Sequence, residues 1–114
     1  MVSLSLYYIP CSSKKEAITL GKKLLTIKLV GCINIIPMSS SYWWKGRICT
    51  TSEILLLAKG PSKNYGQIKK VILQHHLYDT PCIGKLKFDC NKSYLKWLLQ
   101  ETTAPNFTRF KKRT

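Results

Sequence analysis

The stretch GCINIIPMSSSYWWKGRICTTSEILLLAK, residues 31–59, decides the fold. Cys32-Ile33-Asn34-Ile35-Ile36 reads as a strand stopped at Pro37, and Met38 to Ser41 as a polar, turn-like stretch. Tyr42-Trp43-Trp44 resumes extended aromatic sequence, Lys45-Gly46 turns it, and Arg47 onward returns. Ser52 to Ala58 contains an unbroken apolar run, as expected for a strand buried on both faces. Residues 32–58 therefore read as a long, irregular antiparallel hairpin.

Upstream, Val2, Leu4 and Leu6 alternate with Ser3 and Ser5, the pattern of a half-buried strand that Pro10 ends. Ser13-Lys14-Lys15-Glu16 fits a capping box. Ala17, Leu20, Leu24 and Ile27 then share one face of a helix over 13–29, with Gly31 as its stop. Downstream, Gly60-Pro61 breaks the hairpin and Ser62 caps a second helix ending near His76. Its stripe of Tyr65, Ile68, Ile72 and His75 buries His75 and leaves His76 to solvent. Tyr78 to Pro81 is a loop, Cys82 to Phe88 a strand, and Asn91 caps a last helix carrying Tyr94, Leu95, Leu98 and Leu99. Residues 104–114 form a basic tail expected to be poorly ordered.

The order β-α-β-β-α-β plus a terminal helix defines an α+β, ferredoxin-like domain over residues 1–103, an antiparallel sheet with helices on one face. The other face is left uncovered. The aromatic and apolar residues at 42–44 and 54–57 are too many for such a face in water, and the simplest cover is another copy of the chain.

Composition narrows the function. The chain has 114 residues, one core's worth, and 45% hydrophobic residues exclude disorder. No apolar run is long enough for a membrane span, and the N-terminus carries no secretory pattern, so the cytoplasm is the expected compartment. Nineteen basic residues against five acidic ones give +14. That balance fits nucleic acid. The surplus is mostly scattered lysine in a chain also rich in Ile, Asn and Tyr, which favours compositional drift; only Arg109 to Arg113 is a dense run. Cys11, Cys32, Cys49, Cys82 and Cys90 are odd in number and widely spaced, which argues for reduced thiols. Asp79 and Asp89 are lone carboxylates, and there is no nucleophile–base pair, phosphate loop or cofactor motif, so no enzyme is expected.

Gly31 to Pro37, Ser41-Tyr42-Trp43-Trp44-Lys45-Gly46-Arg47-Ile48 and Glu53 to Lys59 resemble the CutA divalent-cation tolerance family. His75-His76-Leu77-Tyr78-Asp79-Thr80-Pro81 is similar to its H-P-Y-x-x-P segment, and Ser93 to Leu98 to its D-Y-L-x-W-L helix. The match runs in order from about residue 2 to 103. The resemblance implies a homotrimer, with Tyr42, Trp43, Trp44 and Leu56 as trimer or sheet contacts. It also implies a role in tolerance of copper and other divalent metals. Family copper ligands carry over as His75 and His76; the family cysteine falls at Ile9, and Cys11 lies two residues along, on the same side of an extended backbone. The expected metal residues are thus His75, His76 and Cys11, and the expected cofactor is copper or another divalent cation. The chain departs from the family where acidic residues become Lys45 and Cys82 and where Cys49-Thr50-Thr51-Ser52 precedes the retained Glu53. The alternatives are a basic nucleic-acid-binding module and a ligand-free scaffolding or signalling trimer on the same fold.

Overall fold

A computed structural model describes residues 2–103. Strand β1 (Leu4–Cys11) leads into helix α1 (Lys14–Thr26), then β2 (Cys32–Trp44), β3 (Arg47–Pro61), a short 3-10 turn (Ser62–Asn64), α2 (Tyr65–His75), β4 (Gly84–Phe88) and α3 (Lys92–Glu101). The basic tail expected at 104–114 lies outside the described residues. The four strands are antiparallel neighbours in the order β2-β3-β1-β4, the ferredoxin-like arrangement.

The hairpin is more regular than its sequence reads. Pro37 does not stop β2, and Met38 to Ser41 is strand: thirteen consecutive pairs run from Cys32↔Lys59 to Trp44↔Arg47. An edge strand leaves every second N–H unpaired, so proline costs no ladder bond when it faces outward. Lys45 (φ 49°) and Gly46 (φ 80°) close the ladder as a two-residue turn with both centres left-handed, whose twist matches the flanking strands. Likewise Pro10 stays inside β1, opposite Leu55.

β1 is one of the two inner strands. Ser5, Tyr7, Ile9 and Cys11 are fully buried beneath α1 and α2, joined by Leu56 and Ala58 of β3 and by Leu20, Leu24, Ile68 and Ile72 of the helices. The core face of β1 is therefore the one that begins with serines, because the aromatic and aliphatic residues of its second half share that parity. Leu56 accordingly lies in this core and is not available for contacts between subunits. Leu4 and Leu98 are also buried, outside that cluster, and Lys59 extends its ammonium over the rings of Phe88 (5.9 Å) and Tyr94 (5.7 Å). Lys59 has the parity opposite to Ala58, so α3 caps part of the second face, which is not wholly uncovered.

Helix α1 begins as its capping residues dictate, with the Ser13 hydroxyl accepting the N–H of Glu16. It ends at Thr26, earlier than the apolar spacing implies. Lys28 (φ 63°) takes the left-handed position, and the Leu29 N–H bonds back to the Leu24 carbonyl. β4 starts at Gly84, two residues after Cys82.

Two glycines separate packing from propensity. A Cβ at Gly60 would sit 2.6 Å from the Leu29 carbonyl oxygen, so the backbone must move. One at Gly66 in α2 would meet nothing within 4 Å. Gly60→Ala should lower stability by roughly 1–3 kcal/mol. Gly66→Ala should raise it by about 0.5 kcal/mol. Urea denaturation checks both, and equal effects would contradict the assignment of close packing to position 60.

Candidate metal centre

β1 ends at Cys11, α1 begins three residues later at Lys14, and α2 ends at His75. These three ends converge. Single ligand atoms from Cys11, Glu16 and His76 lie within 4.8 Å of one another, the one such group of three among the described residues. All three are screened from water: Cys11 is fully buried, and the side chains of His76 and Glu16 are 0% and 5% exposed.

The hydrogen bonds fix the chemistry of each group. His76 Nε2 lies 2.8 Å from the Pro10 carbonyl oxygen, which only accepts, so Nε2 carries the proton. Nδ1 accepts the N–H of Tyr78 at 3.0 Å and faces Glu16 Oε2 at 3.3 Å. Glu16 Oε2 accepts the Leu77 N–H at 2.7 Å, and Oε1 accepts the N–H and hydroxyl of Ser12 at 2.8 and 2.9 Å. The Cys11 thiol points at the Ile9 carbonyl, 3.4 Å away. Tyr78 closes the cluster: its ring tilts over His76 with centroids 4.8 Å apart, and its hydroxyl donates to Glu53 at 2.6 Å.

Burial acts differently on these groups. It pushes the Cys11 thiol up to about 12, helped by the charges of Glu16 and Glu53, so the thiol is protonated at neutral pH. The Tyr78 hydroxyl is also raised, first by burial and then by its bond to Glu53. For Glu16, burial alone would raise the carboxyl. The N–H of Leu77 and the N–H and hydroxyl of Ser12 more than reverse this and hold it below its ordinary 4.5.

The two histidines exchange the places that helical spacing gave them. His75 is exposed, whereas the side chain of His76 is buried. The reason is local: α2 ends at His75, and His76 (ψ 142°) is already extended, which turns its ring inward beneath Tyr78. Of the expected metal residues, the structure brings Cys11 and His76 together and leaves His75 outside. Glu16 joins them unforeseen. Its place in the capping motif hid a second use, although its carboxylate reaches back to Ser12 rather than to Ser13. Tyr42, Trp43 and Trp44 are far along the hairpin and exposed by 42%, 73% and 59%.

A thiol, a carboxylate and an imidazole are thus gathered at the end of an inner strand of a ferredoxin-like chain, a donor set that transition metals take. The CutA1 divalent ion tolerance protein family matches residues 5–101, and the chain belongs to that family. The divalent-cation tolerance protein CutA of Archaeoglobus fulgidus is 34% identical over 92 residues, spanning 80% of this chain and 90% of that one. The structure of the periplasmic divalent cation tolerance protein CutA from the same organism superposes with a TM-score of 0.85 at 31% identity, covering 88% of this chain and 99% of the other. CutA1 from Oryza sativa gives 0.86 at 30% identity, covering 90% and 95%. The compartments overturn one expectation. One relative is periplasmic and a rice homologue is chloroplastic, so the cytoplasm does not follow for this chain. The reason is physical: this fold is compatible with several compartments, and the default rested only on a missing leader pattern.

The low carboxyl of Glu16 has a pH consequence. Its folded-state value lies below the unfolded one, so its contribution to stability is present above about pH 4.5 and is lost as pH falls through the folded value. Stability measured by urea denaturation between about pH 3 and pH 6 should therefore drop toward acid. Glu16→Gln should flatten that drop, and an unchanged slope would show that Glu16 does not carry it.

Proposed function

We propose that this chain is a homotrimeric metal-tolerance protein that takes up copper or another divalent cation at Cys11, Glu16 and His76. The convergence of the three ligand atoms within 4.8 Å is the observation that carries the reading. The donor set fits borderline and soft transition metals, since imidazole and thiolate suit copper and zinc, whereas calcium and magnesium prefer all-oxygen sites. Two features shape the uptake. The Cys11 thiol must lose its proton, so affinity rises with pH and binding releases acid. The Nδ1 atom of His76 already holds the Tyr78 N–H, so ligation from that atom exchanges a backbone hydrogen bond for a metal bond.

Self-association is the second part of the proposal. The molecule is 52 Å long but only 27 by 23 Å across. β1 pairs with β3 no further than Cys11↔Ile54, so residues 38–53 form a two-stranded arm. An isolated two-stranded ribbon is marginal in water, and this one exposes Trp43, Trp44 and Ile48 (64%). Other copies that cover the arm and the apolar second face relieve both problems, and the family resemblance supports three. The family is named for tolerance of cations rather than for a reaction, and the site offers ligands rather than a nucleophile–base pair.

Titration calorimetry with copper tests the site. Cys11→Ala and His76→Ala should each lower affinity at least tenfold, and His75→Ala should leave it unchanged. Equal affinities for all three variants would remove the site. Sedimentation velocity tests the assembly: a species of about three chains is expected, and Trp43→Glu with Trp44→Glu should shift it toward one. A wild-type monomer would overturn the trimer.

A further inference from the structure

The helical layer carries charge of one sign. α1 exposes Lys15, Lys22 and Lys23; α2 and the turn before it expose Lys63, Lys69 and Lys70. Glu16 is the single acidic residue on either helix, and it is buried and turned inward to Ser12, Leu77 and His76. Among the described residues none of these six lysines is paired with a carboxylate.

Two depressions interrupt this basic layer and share Gln67 and Lys70. The first, about 660 Å³, is lined by Lys63, Asn64, Gly66, Gln67 and Lys70. The second, about 430 Å³, continues past Gln67 and Lys70 to Val71, Gln74 and the end of α1 at Ile27 and Leu29. They form one shallow groove with ammonium groups and side-chain amides on its walls and no carboxylate. Nearby, the ammonium groups of both Lys69 (5.4 Å) and Lys85 (5.6 Å) lie over the ring of Tyr65.

We infer that this groove and its lysines bind the phosphodiester backbone of a nucleic acid strand, in a sequence-independent manner. The chemistry is that of positioning contacts: lysines neutralise phosphates, and amides serve sugar and phosphate oxygens. The mixture of ammonium groups with the amides of Gln67 and Gln74 suits a chain of alternating phosphates and sugars. None of the residues lining this surface belongs to the Cys11, Glu16 and His76 cluster, so it does not depend on the metal centre.

Fluorescence anisotropy with a labelled 20-nucleotide single-stranded DNA and the full chain tests this. Between 50 and 200 mM salt, affinity should fall by roughly 10²- to 10³-fold, as expected for about six phosphate contacts. Lys63→Gln with Lys70→Gln should weaken binding about tenfold at 50 mM salt and reduce the log–log salt slope by about 1.4. The control pair Lys92→Gln with Lys96→Gln, exposed on α3, should change neither. Absence of binding, equal loss from both pairs, or preference for phosphatidylserine vesicles over DNA would each overturn the assignment.

Discussion

Strand lengths do not match, and most of the molecule follows from that mismatch. β1 has eight residues, whereas the hairpin strands beside it have thirteen and fifteen. Where β1 stops at Cys11, the sheet narrows from at least three strands to two. The step creates a corner, and the start of α1 and the end of α2 both arrive there. A buried corner of this kind exposes chain ends whose backbone groups need partners. Glu16 supplies them for Ser12 and Leu77, and His76 for Pro10 and Tyr78. The candidate ligands are thus first the residues that hold the corner together.

That double use explains the electrostatics. A buried carboxylate costs free energy unless it is hydrogen-bonded, and Glu16 accepts three bonds from Ser12 and Leu77. The thiol beside it is buried, faces two negative groups and has only the backbone of Leu56 to offset them, so it stays protonated. A cation entering the corner would meet one ready charge, one imidazole whose lone pair is engaged, and one thiol that must ionise. The preorganised part of that donor set is the carboxylate.

Much of the architecture was legible because it rests on periodicity. The alternation near the N-terminus, the capped first helix and the Lys45-Gly46 turn all predict what the backbone does. Proline misled twice. Pro10 and Pro37 look like strand ends, yet each sits within a strand. Helical spacing misled at His75 and His76 because it assumes the helix continues; one extended residue at position 76 reverses which ring is buried. Glu16 was visible only as a helix cap, since its contacts to Leu77 and His76 join residues sixty apart in sequence. Long-range convergence leaves no spacing signature in one chain.

With its only carboxylate drawn inside, the helical layer presents to other molecules a plate of uniform sign. Two such plates cannot approach each other in dilute salt without electrostatic work against them. Back-to-back stacking of two copies is therefore disfavoured in dilute salt. A buried acid in one corner thus sets the sign of the charge that the helices show to their surroundings.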